Sequence, residues 1–516
     1  MPNLPIPPFH QRFASLAATR WRYPLALIAG WLVAMAMEPV AAPIAGIAGL
    51  ALFIALLGTR PPSESLRLGL AFGLAHFAAG LSWIAQAFSF QSSMPAAMGI
   101  VAVFGLAAFL ALYPAIAAYA ARRLTGRIVP LTFLLAGLFT LTEILRGTLF
   151  TGFAWHPLGA AFLPLPIISG LAAHIGANGL SAILILTGGA VATLILAPRS
   201  PGAPILFAAI LAIALSGKLT QPPRSGQPAS GPTFLLVQTG TSIADKNAPG
   251  GLERSLSAAI AQSRAALPGN PTAIIWPEAT VEFPMEEMPI LRRQLTQDFA
   301  PQTLLVTGGV ALERGADGMI SGARNSFYAL DYQGNILARY DKSHLVPGGE
   351  YLPLRAIAEP LGLARLVPGT LDFLPGDGPV TWNLPGLPAL SPNICYEIIF
   401  PAAVVKRDHR PQAIITISND AWFGDHGPPQ HHAQARLRAL EEGLPILRVT
   451  PTGLTGLIGP DGAMLATLPR GAAATLSVRL PAPRPVTLFA RFGLIAPGVF
   501  ALLLIAVGYA LHRRKT

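Results

Sequence analysis

From Leu68 to Ala121 the chain runs without a single Asp, Glu, Lys or Arg. Crossing a bilayer takes ~20 predominantly apolar residues, so this stretch is too long for one span and holds two, broken around Gln91-Ser-Ser-Met-Pro95. Composition extends the argument to the whole chain. With 516 residues, 52% hydrophobic, 12% charged and a mean hydropathy of +0.52, it is too apolar for an ordinary soluble globular protein.

Further apolar runs, Tyr23–Met37, Val40–Thr59, Ile128–Phe150, Leu165–Pro198, the short Ile205–Gly217 and Phe492–Leu511, bring the expected count to about eight spans. Their loops carry an orientation signal, because Lys and Arg concentrate on the cytoplasmic side. Arg12, Arg20 and Arg22 precede the first span, and Arg60 and Arg67 follow the second. Arg122, Arg123 and Arg127 follow the fourth, Arg199 the sixth, and Arg513, Arg514 and Lys515 the last. The intervening loops, near Phe88–Pro95 and Thr151–Leu165, have no Lys or Arg. Both termini are expected in the cytoplasm and Lys218–Thr487 outside, with no cleavable signal-peptide pattern. The same clustering explains the formal charge of +11 without invoking nucleic acid.

Residues 218–487 read differently, with Pro, Gly and charge between short apolar runs. Strands are expected at Thr233–Thr239, Thr272–Trp276, Thr303–Val310, Asn393–Ile399, Gln412–Ser418 and Pro445–Thr450. A hairpin is expected across Gln333-Gly-Asn335, pairing Ser326–Tyr332 with Ile336–Tyr340. Helices at Gly251–Ala266, Met288–Phe299 and Gln430–Glu442 complete an α/β layered domain. The organisation is thus residues 1–217 with about seven membrane helices, 218–487 as the exported domain, and 488–516 as a last helix with a basic tail.

Chemistry concentrates on the only cysteine, Cys395, in Asn393-Ile-Cys-Tyr-Glu397. With no second cysteine there is no intramolecular disulfide and no thiolate zinc site, and a lone cysteine is more often a small buried hydrophobe than a nucleophile. A reactive thiol needs a base or cation beside it. Glu278 in Trp276-Pro-Glu278 and Lys342 in Asp341-Lys-Ser-His-Leu-Val-Pro347 both stand where strands run out. His426, His431 and His432 complete no recognised zinc pattern, so no metal is expected.

Together, Trp276-Pro-Glu278, the Lys342 run, the Cys395 run and Ser418-Asn-Asp-Ala-Trp-Phe-Gly424 resemble the nitrilase superfamily and its Glu-Lys-Cys triad, over most of Thr233–Val478. The flanking spans, with Trp83-Ile84, Glu143-Ile-Leu-Arg146-Gly and Phe150-Thr-Gly-Phe153, make the chain similar to one membrane-bound branch, the bacterial apolipoprotein N-acyltransferases. Two places depart from that pattern: Thr450-Pro-Thr-Gly453, where Pro451 removes a backbone donor, and Gly443-Leu-Pro445.

The resemblance implies an α-helical transmembrane bundle carrying an exported αββα sandwich, in the bacterial inner membrane with the sandwich in the periplasm. It implies Glu278 as general base, Cys395 as nucleophile and Lys342 as oxyanion stabiliser. Glu350 would orient Lys342, Tyr396 and Glu397 would shape the pocket, and Glu143 and Arg146 would pair with each other or meet lipid headgroups. The implied partners are a phospholipid acyl donor and a diacylglyceryl-cysteine apolipoprotein acceptor, with no cofactor and a monomeric chain. A membrane-tethered amidase or nitrilase-type hydrolase would use the same triad with water as acceptor. A silent scaffold or transporter is a third reading, which the intact triad disfavours.

Overall fold

The computed structural model of the chain describes residues 19–90, 95–197, 230–358 and 372–514, together with Gly202, Pro204, 206–208, Ile210, Pro360 and Arg365. Two compact units emerge: Met1–Ser82 with Ile100–Gln221 and Phe492–Thr516, and Trp83–Gly99 with Pro222–Arg491.

The first unit is helical. Among the described residues four helices are long and apolar enough to cross a membrane: Met98–Leu124, Ile128–Arg146, Ala172–Leu196 and Ile495–Arg513. The count reaches five if Pro62–Gly80 and the following Ile84–Phe90 are taken as one broken span. This corrects the expected eight. The first two apolar runs fold as Arg22–Ala34 and Pro43–Gly58, of 13 and 16 residues. At 1.5 Å per residue these reach about 20 and 24 Å, short of the roughly 30 Å hydrocarbon core. The expected seventh span, Ile205–Gly217, falls for the most part outside the described residues.

Small residues let these helices approach closely, which is how apolar helices gain packing energy without a hydrophobic driving force between them. A Cβ on Gly69 would lie 2.5 Å from Ala115 Cα, and one on Gly73 2.7 Å from Ala111 Cα, so two small pairs four residues apart form one crossing. Outward side chains of the last helix, Leu502 and Leu503 among them, are exposed and apolar.

The second unit is built on two sheets. One has six strands in the order β11-β1-β2-β3-β4-β5 and the other five in the order β10-β9-β8-β7-β6. The strands are β1 Thr233–Gln238, β2 Ala273–Ile275, β3 Leu304–Arg314, β4 Ile320–Leu330, β5 Ile336–Asp341, β6 Leu390–Ile394, β7 Ala413–Ile417, β8 Ile446–Val449, β9 Gly456–Ile458, β10 Met464–Thr467 and β11 Ala474–Arg479. Strand alternation decides the layers. Phe234 and Leu236 of β1 join Ala413, Ile415 and Leu447 of the other sheet in one buried core, while Leu235 and Val237 face Ala259 of helix Gly251–Ala266 and Leu295 of helix Pro289–Thr296. Helix Gly427–Glu442, buried along most of its length, packs on the five-stranded sheet. The layers are helix, sheet, sheet, helix, which is the expected αββα sandwich.

The expected strands match apart from their ends, with one instructive exception. Asn393–Ile399 was expected as continuous strand, but β6 stops at Ile394 and Cys395–Ile399 forms a 3-10 turn. The break comes at Cys395, whose φ of 51° is left-handed. A side chain rarely adopts that conformation, and such strain concentrates where a functional group must be presented at a sharp turn.

Candidate active site

Sheet register assembles the site. The parallel strands β6, β7 and β8 end side by side, and the pairing of Ile394 with Ile417 brings Cys395 next to Ser418. In the other sheet β2 ends just before Trp276-Pro277-Glu278, and β5 ends just before Lys342. Ser326 pairs with Asp341, which sets Asn325 beside Lys342, and the Lys342 N–H donates to the Asn325 carbonyl at 2.9 Å. Gly308 of β3 leaves room for this arrangement, since a Cβ there would lie 2.9 Å from Ala279 N and 3.0 Å from Glu278 Cα.

Glu278, Lys342 and Cys395 are all buried. Lys342 Nζ donates to Glu350 Oε1 at 2.9 Å and lies 3.6 Å from Glu278 Oε1. Asn325 Nδ2 donates to both carboxylates, at 2.8 Å to Glu278 and 2.9 Å to Glu350. The second oxygen of Glu278 accepts from Asn419 N at 2.7 Å, and that of Glu350 from Val346 N at 2.8 Å. Burial works against the Lys342 ammonium, but Glu350, Glu278 and Cys395 outweigh it and hold its pKa above the usual lysine range. The lysine is a fixed cation at working pH.

Cys395 is held in the opposite sense. Burial, and then the Glu278 charge, push its thiol well up despite Lys342, so the sulfur rests protonated. A protonated thiol is a weak nucleophile, and removal of its proton must therefore accompany attack. A carboxylate base, a fixed cation and a single thiol supply what an acyl transfer through a thioester needs.

Glu397 and Tyr396 have separate places. Glu397 accepts from Ser343 N at 2.7 Å on one oxygen and from Ile394 N at 2.7 Å on the other, tying the lysine loop to the nucleophile turn. Tyr396 packs edge-on against Phe400, which stacks on His344 at 4.1 Å. Pro451 accepts from Gly240 N through its carbonyl and lines, with Thr241, Lys246, Glu278 and Asn419, a small cleft beside the base.

Family models match both parts of the chain: the apolipoprotein N-acyltransferase N-terminal domain over residues 29–190, and carbon-nitrogen hydrolase over 273–484. The apolipoprotein N-acyltransferase of Allorhizobium ampelinum is 36% identical over 87% of this chain and 88% of its own. The chain belongs to the apolipoprotein N-acyltransferase family. The enzyme of that name from Rhodopseudomonas palustris is 33% identical over 96% of both chains. Among solved structures, an amidase from Nesterenkonia sp. is 19% identical over 49% of this chain and 92% of its own, with a TM-score of 0.35, a likeness too distant to bear on chemistry.

Two further residues singled out from the family-like motifs lie in the helical unit. Glu143 and Arg146 are buried inside it. Glu143 accepts from Leu158 N at 3.0 Å, Asn178 Nδ2 at 3.0 Å and Ser181 Oγ at 2.7 Å. Arg146 donates to the carbonyls of Phe153 and Trp155, both at 2.7 Å, and lies 3.8 Å from Glu143. They clasp the loop after their helix to its neighbours.

Sequence reasoning missed a fully buried polar group behind the nucleophile. Asp420 Oδ2 accepts from Arg448 Nη2 at 2.6 Å, and its Oδ1 accepts from Ser418 Oγ at 2.6 Å. Burial, and then Arg448, lower the pKa of His431, which is therefore neutral. Its Nε2 is 3.0 Å from the Cys395 carbonyl, and its Nδ1 is 3.0 Å from both Arg448 Nη2, which can only donate, and Asp420 Oδ1, which can only accept. A signal for this group existed in Ser418-Asn-Asp420 and in a charged Arg448 within an apolar strand. Asn325 left a similar trace in β4.

Proposed function

We propose that the chain transfers a fatty acyl group from a membrane phospholipid to the N-terminal amino group of a diacylglyceryl-cysteine apolipoprotein. Glu278 takes the Cys395 proton as the sulfur attacks the phospholipid ester carbonyl. The oxyanion is met by Lys342 and by a backbone N–H beside Cys395. Collapse expels the lysophospholipid oxygen, which receives the proton from Glu278 and leaves a thioester on Cys395. The incoming α-amine then attacks, Glu278 accepts its proton, and the thiol returns as the amide is released.

Glu350 and Asn325 hold Lys342 and Glu278 at fixed separation, so the charges that act on the sulfur are in place before substrate arrives. Both substrates are lipid-anchored, which accounts for a catalytic domain on the same chain as apolar helices. In this reading the enzyme sits in the bacterial inner membrane, with residues 218–487 in the periplasm and both termini cytoplasmic.

The observation that carries the proposal is the joining, in one chain, of a buried Glu-Lys-Cys constellation with membrane-length helices, three of which lie wholly or mostly within the matching N-terminal family model. Purified protein in detergent, given phospholipid and a diacylated lipopeptide, should convert the lipopeptide to a product one acyl chain heavier. Release of free fatty acid with no change in lipopeptide mass would favour a tethered hydrolase instead.

A further inference from the structure

Ser418 has one proton to give and stands between the Asp420 carboxylate and the Cys395 sulfur, with His431 Nδ1 farther off at 3.5 Å. Ser418 Oγ lies 2.6 Å from Asp420 Oδ1 and 3.2 Å from Cys395 Sγ, and all three residues are buried. A hydroxyl donates once and accepts with two lone pairs. Burial opposes the charge on Asp420, but Arg448 and the groups around it hold the carboxyl well below the usual range, so it is ionised and can only accept. At rest the Ser418 proton therefore points to Asp420, and a lone pair faces the protonated thiol.

Loss of the thiol proton changes that balance, because the sulfur becomes a buried anion. The charged groups acting on it are Glu278 from the loop after β2, Lys342 from the end of β5, and Asp420 from the loop after β7. Helix Gly427–Glu442 contributes neutral His431, which holds the Cys395 carbonyl instead. Of the side chains bonded to Sγ among the described residues, Ser418 has a proton to turn toward it. Asp420 keeps the Arg448 guanidinium when the hydroxyl turns away, and Arg448 Nε and Nη1 have no other hydrogen-bond partner among the described residues.

We propose that Ser418 is a further catalytic residue: its hydroxyl swings from Asp420 Oδ1 to Cys395 Sγ as the thiolate forms, and back when the thiol is restored. No covalent bond changes in this step, and the thiol proton still passes to Glu278. The same hydrogen bond serves the thiolate as nucleophile in the first half-reaction and as leaving group in the second. His431 and Arg448 act through Cys395 and Asp420 and are positioning residues.

Cys395 is the only cysteine, so iodoacetamide labelling of the full chain in detergent reports on this thiol alone. A hydrogen bond to a charged group corresponds to about 10- to 100-fold in rate. Ser418→Ala should therefore slow alkylation at neutral pH by about that factor and move the midpoint of its pH profile up by roughly one unit or more. Ser418→Thr, which keeps the hydroxyl, should hold the wild-type midpoint. Should the Ala variant not fold, Ser418→Gly also lacks the hydroxyl and gives the same reading. A hydroxyl-free variant that folds and superimposes on the wild-type profile overturns the proposal, as does a Thr variant whose midpoint moves with the hydroxyl-free one. Alkylation needs neither lipid nor lipopeptide, so its outcome is independent of whether the acyl-transfer reading stands.

Discussion

Glu397 and Tyr340 are joined by a 2.6 Å hydrogen bond across 57 residues of sequence, the tyrosine hydroxyl donating to the carboxylate Oε1. The same oxygen receives Ser343 N and Ser343 Oγ at 2.7 and 2.8 Å, and Oε2 receives Ile394 N. One buried carboxylate thus couples the end of β5, where Lys342 sits, to the strained turn that presents Cys395. Glu397→Ala strands several buried donors and should cost about 3 kcal/mol, with thioester formation falling alongside. Thermal unfolding in detergent checks this, and an unchanged midpoint would mean that the coupling contributes nothing.

Glu350 acts on Lys342 through the charge on its carboxylate. The raised lysine pKa means that the stabilisation gained from its ion pairs is complete below the ordinary value of about 10.4 and is lost only as pH climbs through the higher folded value. Glu350→Gln removes the largest of the favourable charges, while burial continues to oppose the ammonium. The ammonium is then less firmly held beside Glu278, and thioester formation at neutral pH should fall by about 10-fold or more. A rate equal to the wild type's would separate Glu350 from Lys342.

Arg146 is expected to act in stability rather than in lipid recognition. Arg146→Met leaves Glu143 without its buried cation and two carbonyls without their donor, a loss of about 3 kcal/mol or more. The melting temperature in detergent should fall, while the fraction that remains folded keeps the wild-type KM for phospholipid. A raised KM at unchanged melting temperature would return Arg146 to the role of a headgroup ligand.

Orientation is testable without purification. Reporter fusions after Arg123 and after Thr516 should read as cytoplasmic, and one within Ser225–Ser230 as periplasmic. A cytoplasmic reading from the last would remove the lateral access to lipid on which the proposed chemistry depends.

Legibility in the sequence followed the range of the interactions. Glu278 and Lys342 could be picked out because each stands where a strand runs out in a short local run, and Cys395 because it is the only cysteine. β1 could be read because Phe234 and Leu236 alternate with Leu235 and Val237. The turn at Cys395 was not legible, since Asn393–Ile399 is apolar enough for strand and its break depends on Glu397 binding Ile394 N. Asn325, Asp420 and Arg448 left local traces as polar residues in or beside apolar strands, but which groups they meet depends on the pairing of strands, which no local pattern encodes. The span count failed on length: Arg22–Ala34 and Pro43–Gly58 are apolar enough for a membrane, but their helices end too soon.

The central claim is that an acyl group rests on Cys395 between two half-reactions. Incubated with phospholipid alone, the protein should gain the mass of one acyl chain, located on the peptide containing Cys395 and released by neutral hydroxylamine. Adding a diacylated lipopeptide with a free α-amino group should discharge it into an amide, and the N-acetylated lipopeptide should leave it in place. An acyl group that never accumulates, or that passes to water as fast without lipopeptide as with it, would contradict the account.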